Sequence, residues 1–451
     1  MNTQTLTRVK QHWLDLPDGA SEAQVNDMFI VSSVLDELGF SLKERIPHYK
    51  TDTGGNAVDY ALRRNQGGNE FVLNGSNPHV LLELKGRDIN LTKGSAQYKS
   101  TVKQLKRYLL APNCQTVQWG IITNSDHIQL FRKHGKVIFP ATDCLQITED
   151  NLEDIIRDFK SRIENTPTAL KVAIYNNKGG VGKTTTTVNL AAILALKGKK
   201  VLVVDFDPSQ QDLTKSLDIK PSEKDFYSCL VNKNSELKDI IHPYAINYKK
   251  LNKRFTFDVI PADKKLADCG DDELRQEIKL YRLNKLLKTL EYNYDYILID
   301  SPPNWRFFSQ SAMYASDVVL IPAKHNNIYS LENAAIAIQK FLPQIQENKK
   351  GCTPIALPIF FNGENKISDA HKITMTSAID DLIKKFTKNE KFDLTPYFYP
   401  LSTKGSKNKE IFHLPGYASI SNAAFAYIPA VFKDKIARTY YLNLAMEYFL
   451  Q

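Results

Sequence analysis

Apolar residues recur at helical spacing from Glu22 to Leu38 (Val25, Phe29, Val31, Val34, Leu35, Leu38), which predicts an amphipathic helix. The pattern then changes. Val58–Leu62 and Val80–Leu84 have the short apolar character of strands, and Gln97, Val102, Leu105 and Leu109 mark another helix. Trp119–Thr123 and Ile128–Arg132 predict two strands flanking a turn at Asn124-Ser125-Asp126. A helix from Leu152 to Ile163 runs into Glu164-Asn165-Thr166-Pro167-Thr168, a polar, proline-bearing segment with the composition of a linker.

From Lys171 onward, strand and helix alternate. Val172–Tyr175, Val201–Asp205, Phe257–Ile260, Tyr296–Asp300, Val318–Pro322 and Ile355–Phe360 are short apolar runs with helical segments between them. Runs of this kind predict a mostly parallel sheet flanked by helices on both faces, an α/β architecture. The expected organisation is a domain over residues 1–165 and a second over 166–451. A polar, basic insertion at about 363–415 interrupts the second, and a closing helix spans Ala430 to Leu450.

Length and composition agree with two domains. The chain has 451 residues, 42% hydrophobic and 24% charged. No stretch approaches the roughly 20 apolar residues that span a bilayer, and the N-terminus lacks an apolar signal region. The five cysteines are scattered, with no CxxC pair or Cys/His cluster, which suits a reducing cytoplasm. The formal charge is +9. Acidic and basic groups are about equal in number over residues 1–165, so the surplus lies later, in runs such as Lys249-Lys250, Lys264-Lys265, Lys384-Lys385 and Lys404 to Lys409. Singly these runs read as solvated surface; together they suggest an anionic partner, DNA first.

The sharpest chemistry lies in Val172-Ala-Ile-Tyr-Asn-Asn-Lys-Gly-Gly-Val-Gly-Lys-Thr-Thr. A buried strand feeds a glycine-rich turn that opens a helix. Such a turn lets backbone N–H groups at Gly179, Gly180 and Gly182 close round phosphate oxygens at a positive helix end. Lys183 would reach the β- and γ-phosphates, Thr184 would give a hydroxyl to Mg²⁺, and Thr185 would complete the loop. The usual first glycine is replaced by Asn177, and an extra lysine, Lys178, precedes Gly179.

This deviant loop resembles that of the ParA/MinD family of P-loop ATPases, which partition plasmids and position division sites. The resemblance covers residues 171 to 345. It implies bound ATP and Mg²⁺, hydrolysis, a homodimer sandwiching the nucleotide, and Lys178 crossing to the partner's ATP. It also implies a partner protein that stimulates hydrolysis. Val201-Leu-Val-Val-Asp-Phe-Asp-Pro is similar to the family's second motif, which gives Asp207 the role of positioning water and helping to hold Mg²⁺, with Asp205 assisting. Tyr296-Ile-Leu-Ile-Asp resembles the Walker B strand, with Asp300 holding Mg²⁺ through water. Asn362 is a candidate contact for adenine or a simple turn residue.

In the first domain, Glu83 and Lys85 are two apart on one strand and so share a face, and Asp59 comes from a neighbouring strand. Paired carboxylates bind a hard cation such as Mg²⁺, which activates water, and the lysine can orient that water. Glu22 could add a carboxylate. The ordered set Glu22, Asp59, Glu83, Lys85, Gln104, Tyr108 resembles the PD…(D/E)xK restriction-type nucleases, in particular the nuclease domains of type I restriction motor subunits; Val58 stands where the motif's proline would be. That implies a restriction-endonuclease-like α/β fold and Mg²⁺-dependent DNA cleavage, controlled by the ATPase and suited to defence against phage or plasmids. Three other readings stay open: a surface ion pair on an ordinary strand, a non-cleaving adaptor for DNA or a partner on a partition-type ATPase, and a nucleotide site that binds without hydrolysis.

Overall fold

The computed structural model describes residues 3–52, 57–232, 234–248, 253–364, 369–390, 392–400 and 410–451. The lysines at 249–250 and 404–409 lie outside them. Two compact units form: Met1–Thr166 with Phe449–Gln451, and Pro167–Tyr448.

The first unit is built on one mixed sheet. Its strands are β1 (Arg45–Lys50), β2 (Ala57–Leu62), β3 (Val80–Leu84), β4 (Trp119–Thr123), β5 (His127–His134), β6 (Val137–Pro140) and β7 (Leu145–Gln146). β1 to β6 lie side by side in chain order, and β7 pairs with β5. The β3–β4 pair is parallel, and the others are antiparallel. The parallel pair needs a crossover, and the helix Ala96–Leu109 supplies it. That helix covers one face with Leu105, Tyr108 and Leu109, beside Leu81, Ile122 and Phe131. The other face packs Leu82, Leu84, Ile121 and Leu130 against Phe29, Val34, Ile155 and Phe159. Glu83, placed by alternation between Leu82 and Leu84, shares the face of Leu81 and the crossover helix.

Two departures from the sequence expectations concern this unit. The opening helix is not uniform: Glu22–Val25 is α-helical, Asn26–Val34 is a wider π-helix, and Leu35–Glu37 returns to α. The edge strand β1 carries Pro47 and no apolar alternation, so the pattern did not mark it; proline is tolerated at an edge.

The second unit has a seven-stranded sheet. β8 is Leu170–Ile174, β9 Val201–Asp205, β10 His242–Tyr248, β11 Lys253–Ile260, β12 Tyr296–Asp300 and β13 Val318–Leu320. β14 (Pro322–Ala323) belongs elsewhere, and β15 is Ile355–Ala356. The sheet order is β10-β11-β9-β12-β8-β13-β15, parallel throughout except for the β10–β11 edge pair. β14 joins β16 (Phe360–Glu364) and β17 (His413–Pro415) in a three-stranded parallel sheet. The runs expected as single strands over Val318–Pro322 and Ile355–Phe360 are therefore each split between two sheets. Pro322 and Pro358 lie in those runs, and neither can donate a ladder hydrogen bond.

Helices cover both faces of the main sheet. The helix Lys183–Leu196 is buried from Thr186 to Ala195 on every side, as expected of a helix without a polar stripe. The closing helix is broken at Asp434 into Ala430–Lys433 and Lys435–Tyr448. It packs on Lys183–Leu196, with the Val431 N–H donating to Asn189 Oδ1 at 3.1 Å and Tyr441 OH to Thr185 O at 3.4 Å. The basic insertion has structure of its own: a helix over Asp369–Glu390 and a short one at Thr395–Phe398, with Ile379, Leu382, Leu394 and Phe398 buried. Among the described residues no helix is long and apolar enough to cross a membrane, and the five cysteines form no disulfide.

Gly120 lies on β4, where the crossover helix comes closest. A Cβ there would meet Leu105 and Leu109 at 3.0 Å. Gly120→Ala is expected to cost the first unit about 1–3 kcal/mol through overpacking. Denaturant titration followed by hydrogen exchange of that unit's amides checks this; unchanged protection refutes it.

Candidate functional site

The first candidate site lies at the C-terminal ends of β8, β9 and β12. β8 ends at Ile174, and the chain turns through Asn177, Lys178, Gly179 and Gly180 into the helix that begins at Lys183. Gly182 has φ +81° and closes the turn against Asn362, so a side chain there would meet both strain and a clash. Lys183 folds across the loop and donates to Lys178 O at 3.2 Å. Burial lowers the Lys183 pKa, opposed by Asp300 and Asp207. Lys178 and Thr185 are half-buried.

Behind the loop stand three carboxylates. Asp300 is 1% exposed. It accepts from Thr184 Oγ1 at 2.7 Å and from Thr187 Oγ1 at 3.4 Å. Asp205 is its register neighbour on β9. Burial holds both above the usual carboxylate range, and Asp205 adds to the rise at Asp300. Asp205 does not face the loop's mouth with a free carboxylate: it accepts from the Thr214 N–H at 2.9 Å, from Thr214 Oγ1 at 2.6 Å, and from the Asp207 N–H at 3.3 Å. It therefore shapes the segment that carries Asp207. Asp207 Oδ1 accepts from the Gln210 N–H at 3.3 Å, and burial raises its pKa. A hydroxyl and carboxylates beside a phosphate-shaped turn form a hard-oxygen donor set of the kind Mg²⁺ prefers.

Asn362 sits on β16 and is 5% exposed. Its Nδ2 donates to Val181 O at 2.8 Å, Gly182 O at 3.2 Å and Thr186 Oγ1 at 3.2 Å. The amide nitrogen is thus committed to the loop itself. Thr187, Thr214 and the loop-holding function of Asn362 were not singled out in the sequence. The four-threonine run from Thr184 to Thr187 was the available signal for the first.

The second candidate site lies on β2 and β3 of the first unit. The β2–β3 ladder pairs Tyr60 with Leu82, so one step further Asp59 comes opposite Glu83. There the backbone pairing stops, and Asp59 Oδ2 accepts from the Leu84 N–H at 2.6 Å instead. Lys85 Nζ donates to Glu83 Oε1 at 2.7 Å and lies 3.6 Å from Glu22 Oε2. Glu22 reaches the cluster because its helix start is tied to the segment after β3: the Arg87 N–H donates to Ala20 O at 2.9 Å. Burial, reinforced by the Asp59 charge, pushes the Glu83 pKa up to about 7. Burial also raises Asp59, against the Leu84 N–H and Lys85. Lys85 stays above its ordinary value despite burial, held there by Glu83. Gln104 and Tyr108 are bonded to each other, Nε2 to OH at 3.1 Å.

Asp59, Glu83, Lys85 and Glu22 are therefore brought together. Among the described residues, though, no three His, Cys, Asp or Glu side chains are gathered as a metal cage. The expected three-carboxylate set is not closed on one point, because the Lys85 ammonium stands between Glu83 and Glu22. Glu83 Oε2 is buried with no hydrogen-bond partner, and an orphaned carboxylate oxygen fits a cation ligand.

Residues 169–353 match a family model described as an AAA domain. The chain is 39% identical over 179 residues to the sporulation initiation inhibitor protein Soj of Bacillus subtilis, covering 38% of this chain and 66% of that protein. It is 36% identical over 163 residues to the chromosome partitioning protein ParA of Myxococcus xanthus, covering 36% of this chain and 54% of that protein. With an uncharacterized protein of Methanocaldococcus jannaschii it shares 31% identity over 208 residues, 45% of this chain and 75% of that one. The chain thus spans less than two thirds of the length of the first two.

Asn362→Ala removes the three bonds that brace the loop. The expected result is about tenfold weaker ATP binding with the fold intact, the equivalent of about 1.4 kcal/mol for lost buried hydrogen bonds. Titration with a fluorescent ATP analogue checks it, and wild-type affinity would refute the bracing function.

Proposed function

We propose that this chain, whose second unit resembles the ParA/MinD-type P-loop ATPases, is an ATP-hydrolysing dimeric switch coupled to a Mg²⁺-dependent deoxyribonuclease in its first unit. Lys183 and the loop amides would hold the triphosphate, and Thr184, Asp207 and Asp300 would hold Mg²⁺. Lys178 would cross to the nucleotide of a second copy. DNA would be met through phosphate contacts with the basic surface of the second unit, which makes binding salt-sensitive.

The observation that carries the cleavage reading is the buried cluster of Asp59, Glu83 and Lys85 with Glu22 beside it. Its members come from the opening helix, from β2 and from the end of β3, at a point where the β2–β3 ladder ends. A divalent cation on Glu83 and Asp59 would supply charge neutralisation at a phosphodiester and a water of lowered pKa. Glu83 and Asp59 hold, Lys85 orients, and burial keeps bulk water from screening either. An ATP-gated cutter of this kind suits defence against phage or plasmid DNA in the cytoplasm.

A second reading is favoured by the family match itself, which begins at residue 169 and leaves the first unit unmatched. Two of the relatives are named for partitioning and for control of sporulation. In that reading the first unit is a non-cleaving adaptor on a partition-type ATPase.

Incubation of plasmid DNA with ATP and Mg²⁺ separates the two. The expected outcome is nicking or linearisation by wild type and none by Lys85→Ala, with ATP hydrolysis unchanged in that variant. Intact plasmid in both would leave the adaptor reading. On the other unit, Lys183→Ala is expected to abolish phosphate release. Lys178→Ala is expected to bind ATP yet remain monomeric by light scattering; a Lys178→Ala protein that dimerises and hydrolyses as wild type does would exclude the trans contact.

A further inference from the structure

The cleavage reading leaves the position of Lys85 unexplained. A lysine that orients water next to a cation has no need to occupy that cation's ligands. Yet its ammonium is 2.7 Å from Glu83 Oε1 and 3.6 Å from Glu22 Oε2, and it also donates to Leu84 O at 2.6 Å. The Lys85 side chain is 18% exposed. Glu83, 2% exposed, has its other oxygen, Oε2, buried with no partner. One half of a buried carboxylate is thus served by an internal cation, and the other half is left unsatisfied. Burial of this kind is costly unless something else fills the vacancy under working conditions.

We propose that Lys85 is a built-in counter-cation: it neutralises Glu83 and Glu22 in the metal-free site and competes with a divalent cation for the same carboxylates. The inference rests on the reading of this cluster as a divalent-cation site. Its logic is charge balance. Without Lys85, Glu83 would be buried beside Asp59 and near Glu22 with no positive charge, and like charges in a poorly screened pocket repel strongly. With Lys85 in place the empty site is stable but partly blocked. An ammonium suits this exchange: it is a compact point charge on a flexible four-carbon stem, free to leave one carboxylate for another or for solvent. Asp59 feels the ammonium only through space, because its Oδ2 accepts from the Leu84 N–H instead. Occupancy by a cation and release of Lys85 from Glu83 are then one event, so the lysine is available to act only when the site is filled.

The test is metal affinity of the full chain, stripped with EDTA and titrated with Mn²⁺ while free Mn²⁺ is followed by electron paramagnetic resonance. Binding that disappears in Glu83→Gln defines the cluster's share and separates it from the nucleotide site. Lys85→Met is expected to bind Mn²⁺ there about tenfold more tightly than wild type, the effect of removing one close like charge. Lys85→Arg, which keeps the charge, is expected to bind no more tightly than wild type. Unchanged or weaker binding by Lys85→Met overturns the competition. If Lys85→Met is unstable in EDTA, Mn²⁺ should raise its unfolding midpoint more than it raises that of wild type; an equal or smaller rise also overturns it. Intact plasmid DNA together with tighter binding by Lys85→Met would end the cleavage reading and leave this inference standing. No Glu83-dependent binding in either protein would end both.

Discussion

A carboxylate taken out of water must be given a proton, a donor or a cation, and both candidate sites are organised round that requirement. Glu83, the penultimate residue of β3, and Asp300, the last of β12, are almost wholly buried, 2% and 1% exposed. Each has a second carboxylate beside it, Asp59 near Glu83 and Asp205 in register with Asp300. Their neighbours are arranged accordingly. Thr184 and Thr187 donate to Asp300, Thr214 donates twice to Asp205, the Leu84 amide donates to Asp59, and Lys85 donates to Glu83. Removing one of these donors leaves a buried charge exposed to its neighbour's repulsion, which is more costly than the loss of the bond itself.

The strand ends are what make the arrangement feasible. Along a strand, backbone groups satisfy each other and leave nothing for a side chain to bind. Where pairing stops, amides and hydroxyls become free to serve carboxylates. β2 and β3 part after Tyr60 and Leu82, and the Leu84 N–H goes to Asp59 in place of a carbonyl. β9 ends at Asp205, and the next turn curls back so that Thr214 caps it. Thr214 Oγ1 in turn accepts from the Ala262 N–H beyond β11 at 2.8 Å. One hydroxyl therefore fixes the Asp207 segment between two strand ends. This is the general location of ligand sites in open α/β sheets, and here the reason can be traced atom by atom.

Much of this was legible in the sequence because it is local. The glycines, Lys183 and Thr184 lie within six positions, and Asp205 and Asp300 close short continuous apolar runs. Glu83 and Lys85 are two apart on a strand, so their shared face follows from pleating alone. What the pattern did not yield depends on distant partners. Asn362 looks like a turn residue until β16 carries it under a loop some 180 positions earlier. Asp205 reads as a second site carboxylate until Thr214 is seen to occupy it. Edge strands β1 and β10 have one partner each, so neither needs the apolar alternation that marks an interior strand. The split of Val318–Pro322 and Ile355–Phe360 between two sheets turns on prolines whose effect depends on which neighbour is available.

The two sites balance their charge by different means, and this sets what each can accept. At Asp300 the hydrogen-bond donors are neutral hydroxyls, Thr184 and Thr187, and the Lys183 ammonium acts on the carboxylate only through space. A cation arriving with a triphosphate need only turn a hydroxyl to reach Asp300, because no ammonium is hydrogen-bonded to that carboxylate among the described contacts. At Glu83 the donor is itself a cation. Any second cation must first overcome the ammonium's hold and its repulsion, although the orphaned Glu83 Oε2 still invites it. The same kind of buried carboxylate thus gives a receptive site in one unit and a guarded one in the other. The difference is carried by whether a threonine or a lysine happens to be the nearest donor.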